Sequence, residues 1–200
     1  MGRVKTKEKT TEYYEIISKE TQRLTGMVNK ILNFSKLESG KRKLKFIDCN
    51  LNKIAEEVLE TYKFHLKNKN FEYKFSPANT LPGITCDNES IADALVNLLD
   101  NAIKYSGDTK LIEIKTGADK KYSWIEVKDL GIGILKKHQK LIFDKFYRVT
   151  QGNLSGKAKG TGLGLSIVKE IVDSHKGKIF LESKVGEGST FRLYFPINKI

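Results

Sequence analysis

Two asparagines and a lysine lie on one face of a predicted helix in the middle of the chain. In the segment ESIADALVNLLDNAIKYS, Asn97 and Asn101 are four residues apart, and Lys104 follows three residues later. This spacing places the three side chains on the same helix face. An asparagine oxygen can bind a hard cation such as Mg²⁺, and a lysine can pair with a phosphate. The segment therefore predicts a metal and phosphate site, and a solvated helix face is the alternative for the segment alone.

A carboxylate precedes two glycines in the segment VKDLGIGI. Asp129 ends a predicted strand there, and Gly131 and Gly133 follow it. A carboxylate in this position can accept a hydrogen bond from an exocyclic amine such as that of adenine, and the glycines let a flat base approach the backbone. An ordinary Asp-Gly turn accounts for these residues equally well.

Glycines occupy alternate positions before a third predicted helix, in the segment GTGLGLSIVKEIVDSHKG. Gly160, Gly162 and Gly164 bring backbone N–H groups together at a helix N-terminus, where the helix dipole favours an anion. Tight packing of the helix is the alternative. The preceding stretch VTQGNLSGKAK is polar, basic and long enough to be a functional lid. The aromatic segment LIFDKFYRV before it is, by itself, typical of a core.

The composition predicts a globular protein and argues against a membrane span, a zinc site and a nucleic-acid partner. Of its 200 residues 39% are hydrophobic and 30% are charged, which argues against disorder. No apolar run reaches about 18 residues and no signal peptide is evident, so we expect a cytoplasmic location. Cys49 and Cys86 lack metal-ligand spacing and are expected to be reduced thiols, and the histidines are too scattered for a zinc site. The net charge of +12 is spread among acidic residues, which argues against a nucleic-acid partner.

The pattern of apolar residues predicts two parts that position these segments. Residues 11 to about 39 form one long amphipathic helix with a heptad-like apolar stripe, which needs a partner, and Gly40 ends it. This suggests a helical hairpin of which only one helix is present; packing of the helix on the following domain is the alternative. From about residue 44 the pattern alternates between strands and helices. It predicts a two-layer α/β sandwich, with three helices on one face of a mixed sheet of about five strands.

The order and spacing of the motifs resemble those of a known family. The segments NLLDNAIKYS, DLGIGI, FDKFYRV and GTGLGL are similar to the N, G1, F and G2 boxes of the sensor histidine kinases of two-component signalling. The long N-terminal helix resembles the second helix of their dimerisation and phosphotransfer hairpin. The resemblance implies a truncated hairpin in residues 1–43 and a Bergerat-type ATP-binding catalytic domain in residues 44–200, with a lid at about 148–161.

The resemblance also implies a site for ATP and Mg²⁺. Asn101 would hold Mg²⁺, with Asn97 beside it; Lys104 and Tyr105 would contact phosphates or the nucleotide edge, and Asp129 would bind the adenine amine. Catalytic roles would fall to Asn101, Lys104 and Arg148. The other residues implied to contact ATP are Gly131, Gly133, Ile134, Phe143, Phe146, Gly160, Thr161, Gly162, Leu163, Gly164, Leu165 and Thr190.

The chain departs from the family pattern at the phosphate acceptor. Family members carry a histidine followed by an acidic residue, but His65, His138 and His175 are followed by Leu, Gln and Lys. The resemblance therefore implies a domain that binds ATP–Mg²⁺ without phosphorylating itself. Its partners would be the phosphoacceptor hairpin of the same protein and a response-regulator receiver domain, within a homodimer formed through the hairpin. An ATP-hydrolysing relative and a non-enzymatic interaction module are the alternatives.

Overall fold

A computed structural model describes residues 7–39, 42–149 and 161–198 of the chain. The chain divides into two compact units, Met1–Arg42 and Lys43–Ile200. The first unit contains helix α1, Lys7–Glu38, which begins four residues before the predicted start. Its apolar side chains include Ile17, Leu24 and Ile31, spaced by seven residues, and all three are exposed. No helix in the described residues is long and apolar enough to cross a bilayer.

The second unit alternates strands with helices. Its helices are α2 (Leu51–Asn68), α3 (Asn88–Tyr105) and α4 (Gly164–Ser174), with 3₁₀ helices at Lys136–His138 and Leu141–Phe143. Its strands are β1 (Ile47–Cys49), β2 (Glu72–Ser76), β3 (Ile84–Cys86), β4 (Leu111–Ala118), β5 (Tyr122–Asp129), β6 (Lys178–Lys184) and β7 (Gly188–Pro196).

The main sheet has five strands in the order β2-β4-β5-β7-β6. Strands β2 and β4 are parallel, and the other neighbouring pairs are antiparallel, so the predicted mixed sheet is confirmed. Strands β1 and β3 form a separate two-stranded antiparallel sheet, which the sequence did not predict. The two-layer α/β fold class is confirmed.

Alternation along the central strands defines the face on which the helices pack. On β5, Ser123, Ile125, Val127 and Asp129 are buried at every second position. These positions share one face of the sheet because successive side chains of a strand point to opposite sides. The apolar faces of the helices, such as Leu95 of α3, are buried against it. This arrangement places Asp129 on the helix side of the sheet, at the end of β5.

The ends of the helices are fixed by local hydrogen bonds. Asp87 caps α3, and its Oδ1 accepts a bond of 2.8 Å from the Ser90 N–H. At the end of α4, Lys176 has a φ of 54°, and the Gly177 N–H bonds to the Val172 carbonyl. This is a Schellman motif with lysine at the left-handed position that glycine usually fills.

The cysteine prediction was wrong. Cys49 and Cys86 are joined in a disulfide, and neither is a free thiol. The antiparallel pairing of β1 with β3 brings their Cα atoms to 6.0 Å, which is within disulfide range. Spacing along the sequence does not reveal this contact, because the two residues are 37 positions apart.

Candidate functional site

A cavity of about 550 Å³ opens between α3, the start of α4 and one end of the sheet. It combines an apolar wall with a few polar groups, as ligand sites commonly do. Its lining residues are Asn101, Lys104, Tyr105, Ser106, Gly107, Asp108, Asp129, Ile132, Gly133, Ile134, Leu135, His138, Ile142, Val149, Leu165, Val185, Ser189 and Phe191. Seven of the residues implied to contact ATP are therefore brought together here: Asn101, Lys104, Tyr105, Asp129, Gly133, Ile134 and Leu165.

The two asparagines of α3 meet the start of α4. A Cβ on Gly164 would lie 3.3 Å from Asn97 Oδ1 and 3.7 Å from Asn101 Nδ2, so the glycine allows this close approach. Asn97 donates from Nδ2 to the Asp93 carbonyl, one turn earlier in the helix, at 2.8 Å. The Nδ2 of Asn101 is buried and has no hydrogen-bond partner among the described residues. The Asn101 Nδ2 thus has no bond among the described residues, whereas the Asn97 Nδ2 bonds within its own helix.

The donor set near Asn101 fits Mg²⁺ bound together with phosphates. Within the described residues, no group of three or more His, Cys, Asp or Glu side chains is placed to hold a metal. Mg²⁺ does not need such a group, since it commonly binds one or two protein oxygens together with substrate phosphates and water. The side-chain oxygen of Asn101 is the atom that could serve as such a ligand, and its unpartnered Nδ2 is a donor that could pair with a phosphate oxygen.

Asp129 is the buried carboxylate of the cavity. It is 7% exposed, and burial raises the pKa of its carboxyl group. Hydrogen bonds from the backbone N–H groups of Gly131 and Ser189 oppose this rise, and the Gly131 bond measures 2.8 Å. These donors help to keep the carboxylate ionised, so it can accept a further hydrogen bond from a ligand amine.

The two glycines after Asp129 permit close contacts between chain segments. A Cβ on Gly131 would lie 2.3 Å from the Tyr105 carbonyl oxygen. Gly133 has a φ of 67°, and a Cβ there would lie 2.0 Å from the Lys184 carbonyl oxygen. Both glycines are therefore required by the fold itself, and only Gly133 lines the cavity. Their role in letting an adenine base approach the backbone stays a prediction.

A cation and an aromatic ring lie together at the end of α3. The Lys104 Nζ is 4.8 Å from the centre of the Tyr105 ring, and both residues line the cavity. The ring limits the positions of the ammonium group without neutralising it. A positive charge is thus held at the cavity wall.

The aromatic segment and the glycine segment meet at the implied base of the lid. Phe143 packs edge-on against Phe191 of the cavity wall, with ring centres 6.4 Å apart. Gly162 has a φ of 75°, and a Cβ there would lie 2.8 to 2.9 Å from backbone atoms of Phe146. The Phe146 side chain itself is 63% exposed, so this residue contributes its backbone to the contact.

Several other residues implied to contact ATP are not among the residues that line the cavity. The Thr161 hydroxyl oxygen accepts a bond of 3.3 Å from the Leu163 N–H, and Leu163 is fully buried beside the start of α4. Arg148 is not among the lining residues. Gly160 lies outside the described residues, as does most of the implied lid.

Thr190 does not line the cavity, so its implied contact with ATP is not supported. Ser189 and Phe191, its neighbours on β7, both line the cavity. Because adjacent residues of a strand point to opposite faces, Thr190 points away from the helices. Its register partner Lys128 lies on the same outer face, where it pairs with Glu113.

Two polar lining residues with an unpartnered side-chain atom, Ser106 and His138, were not predicted from the sequence. Four buried side-chain polar atoms of the described residues lack a hydrogen-bond partner, and three of them belong to the cavity: Asn101 Nδ2, Ser106 Oγ and His138 Nε2. The fourth is Ser90 Oγ, in the first turn of α3. Since buried polar groups are normally paired, these three atoms on residues of one cavity are groups that a polar ligand or an ordered water can pair with. The sequence around Ser106 and His138 contains no motif that would have predicted a role for either residue in the site.

Comparisons with known proteins identify the family of the second unit. The family model described as histidine kinase-, DNA gyrase B-, and HSP90-like ATPase matches residues 86–199. The sensor protein RprX of Bacteroides fragilis is 36% identical over 186 residues, which are 92% of this chain and 36% of the relative. The chain thus spans about a third of the length of that relative.

Two solved structures resemble the whole described chain. Full-length ShkA in complex with AMPPNP has a TM-score of 0.83 at 21% identity, over 98% of this chain and 41% of the other, which shows the fold alone. The histidine kinase ThkA in complex with the response regulator protein TrrA has a TM-score of 0.76 at 28% identity, over 98% of this chain and 53% of the other.

Proposed function

The chain belongs to the histidine kinase-, DNA gyrase B- and HSP90-like ATPase family, as the catalytic domain of a sensor histidine kinase, and we propose that it binds ATP with Mg²⁺ and transfers the γ-phosphoryl group to a histidine. The observation that carries the proposal is the set of unpartnered polar atoms in the cavity beside a buried carboxylate. The comparisons support the ATP-binding domain; the direction of transfer and the residue roles are our inference.

The cavity residues would orient ATP from both ends. Asp129 would accept a hydrogen bond from the exocyclic amine of adenine, since its carboxylate is buried and held by two backbone donors. Lys104 and the N–H groups at the start of α4 would bind phosphate oxygens, because a helix N-terminus attracts anions. Arg148, at the lid base, would add a positive charge near the γ-phosphate. Such positioning and charge stabilisation supply most of the catalysis of phosphoryl transfer.

Asn101 would be the protein ligand of Mg²⁺, with Asn97 close to it. Bound there, Mg²⁺ would neutralise charge on the phosphate oxygens. The chain's own contribution is to fix the amide next to the start of α4, where the closeness of Gly164 leaves little room for movement.

Asn97 favours transfer over hydrolysis. In the ATP-hydrolysing relatives that the resemblance implies, a glutamate one turn before the metal-binding asparagine activates water. An amide cannot take a proton at neutral pH, and Asn97 moreover donates to the Asp93 carbonyl. Water is therefore not activated from this position, and a nucleophile presented by another segment is the better acceptor.

The acceptor would be a histidine on a hairpin helix of the same protein, paired with α1. None of the chain's three histidines precedes an acidic residue, so we expect no self-phosphorylation. The exposed apolar stripe of α1 would pack in that hairpin and in a homodimer. A response-regulator aspartate would receive the phosphoryl group next; the ThkA structure with TrrA is a precedent for such a partner. We place the domain in the cytoplasm.

One experiment tests the proposal. The chain is mixed with a separate helical hairpin that carries the acceptor histidine, with γ-labelled ATP and Mg²⁺. Label should appear on the hairpin and not on the chain, and a hairpin with alanine in place of that histidine should stay unlabelled. Release of free phosphate at the same rate with or without the hairpin would show a hydrolase instead. Absence of any ATP–Mg²⁺ binding by calorimetry would leave only an interaction module.

The role of Asp129 is tested in the same assay. Asp129→Asn should weaken ATP binding about tenfold or more, because a charged acceptor forms a stronger hydrogen bond than a neutral one. It should also leave the unliganded fold as stable or slightly more stable, since ionisation of Asp129 is opposed by burial. Unchanged ATP affinity would remove Asp129 from the adenine role.

A further inference from the structure

One histidine of the cavity wall has a ring nitrogen without a partner. His138 ends the 3₁₀ helix Lys136–His138, and its Nδ1 lies 2.7 Å from the hydroxyl oxygen of Tyr147. Its Nε2 is buried and has no hydrogen-bond partner among the described residues. The residue lines the cavity, so its ring lies beside whatever occupies it.

The position of His138 differs from those of the other two unpartnered groups. Ser106 pairs through its backbone with Gly131, so it lies at the Asp129 end of the cavity. Asn101 lies beside Gly164, at the start of α4. His138 belongs to a third element, which is joined to the lid base through Tyr147. A nucleotide with its base at Asp129 and its phosphates at Asn101 has its sugar between those ends.

The chemistry of a neutral imidazole favours a hydroxyl as its partner. One ring nitrogen carries a hydrogen and the other accepts, and the Tyr147 hydroxyl can satisfy Nδ1 in either tautomer. Nε2 is then either a donor or an acceptor. A ribose hydroxyl can both donate and accept, so it can pair with Nε2 in both cases. A phosphate oxygen accepts only, so it can pair with Nε2 only when Nε2 carries the hydrogen.

We propose that His138 is a specificity-determining residue that binds a ribose hydroxyl of the nucleotide through Nε2. Tyr147 is its positioning residue, because the bond to Nδ1 fixes the orientation of the ring. This inference rests on the proposed function, since it needs a nucleotide in the cavity. It adds selection for ribonucleotides over deoxyribonucleotides.

The test compares three nucleotides on the 200-residue chain. ATP, 2′-deoxy-ATP and 3′-deoxy-ATP are titrated by calorimetry in the presence of Mg²⁺. The wild-type chain should bind one deoxy analogue about fivefold to tenfold more weakly than ATP, as expected for loss of one hydrogen bond to a buried group. His138→Phe should bind ATP and that analogue equally well. Tyr147→Phe should reduce the difference, and Lys140→Ala, at an exposed position two residues away, should keep it.

The outcomes separate this inference from the proposed function. Wild-type protein that binds ATP but does not discriminate against either analogue overturns the role of His138 only, as does discrimination that persists in His138→Phe. Wild-type protein that binds none of the three nucleotides overturns the proposed function as well. If His138→Phe does not fold, ¹⁵N NMR of the wild-type imidazole replaces it. The Nε2 signal should shift with ATP and shift less with the weaker analogue, and equal shifts would contradict the proposal.

Discussion

Buried polar side chains at the two ends of the α3–α4 helix pair differ in their hydrogen bonding: Asp87 and His175 are paired within the protein at one end, and Asn101 at the other end has an amide nitrogen left unpaired by the described residues. At the far end, His175 Nε2 accepts a bond of 3.0 Å from the Asp87 N–H, and its Nδ1 lies 2.7 Å from the Ile171 carbonyl. Asp87 in turn binds the N–H groups of Ser90 and Lys45. At the cavity end, Asn101 has a buried amide nitrogen with no partner in the described part of the chain. The helices are the same, but within the residues that the structure describes the Asp87 and His175 side chains are paired at one end, whereas the Asn101 amide nitrogen at the other end is not.

This difference separates a structural role from a binding role. A buried polar group that is fully paired stabilises the fold, and its removal leaves partners unsatisfied. A buried polar group without a partner adds no hydrogen bond to the unliganded fold and costs its desolvation free energy, and a ligand can supply the missing partner. Substitutions at the two ends should therefore affect different measurements.

The largest expected effect is on activity, at the cavity end. Asn101→Ala should lower phosphoryl transfer to a separate hairpin about 100-fold or more, because a preorganised polar group at the phosphates is lost. The free energy of unfolding should change by less than about 1 kcal/mol, since Nδ2 has no bond to lose. Transfer kinetics and chemical denaturation measure the two quantities. Asn88→Ala, an exposed change in the same helix, should alter neither.

The next effect is on stability, at the far end. Asp87→Ala should lower the free energy of unfolding by about 2 kcal/mol, because the cap of α3 and the bond of 2.7 Å from the Lys45 N–H are both lost. Urea denaturation measures it, with Glu89→Ala, an exposed change in the same turn, as the control. Folded Asp87→Ala protein should bind ATP normally. A selective loss of ATP affinity would contradict the separation of the two ends.

The pH dependence of stability should report His175. Burial lowers the pKa of its imidazole, and this outweighs the opposing effects of the Ile171 carbonyl and the Asp87 carboxylate. The folded state therefore prefers the neutral ring, whereas the unfolded chain takes up a proton near pH 6.5. Stability from this group is present above that pH and is lost as the pH falls through the lower pKa of the folded state.

Denaturation at several pH values tests this expectation. The decrease in the free energy of unfolding between pH 7 and pH 5 should be smaller in His175→Asn than in the wild type. His65→Gln, at an exposed position on α2, should keep the wild-type decrease. Equal decreases in all three proteins would assign the pH dependence to other groups.

The smallest expected effect is a gain of stability after α4. Lys176→Gly should raise the free energy of unfolding by about 0.5 to 1 kcal/mol, because a left-handed φ of 54° strains a residue that has a Cβ. Lys176→Ala should give no such gain, since it keeps the Cβ. Thermal denaturation compares the variants, and equal melting temperatures for glycine and alanine would show that the backbone is not strained there.

The sequence predicted most elements but not all of their pairings. Local periodicity located α2 over residues 51–68 and α3 within one residue of its observed bounds. It did not reveal the β1–β3 sheet or the disulfide, because contacts between distant segments leave no local period. It also cannot assign a sheet face to Thr190 without the register of β7.

The site was predicted where short motifs specify it. Asn101, Lys104 and Asp129 came from segments whose spacing carries chemistry, and all three line one cavity. Ser106 and His138 were not predicted because the role of an isolated serine or histidine depends on the residues that surround it in the folded protein. Whether a buried atom has a partner is decided by packing, which only the structure shows.

The strand order of the main sheet has a consequence for folding. Strands β4 and β5 are joined by a short turn, as are β6 and β7, but the pairs β2–β4 and β5–β7 enclose long connections. The first connection contains α3 and the second contains α4, the two walls of the cavity. Pairing two strands across a long connection costs chain entropy and is therefore slow, so we expect the β4–β5 and β6–β7 hairpins to form first. A nucleotide would then find its site only in the completed sheet, and it would slow unfolding without guiding the chain to its fold.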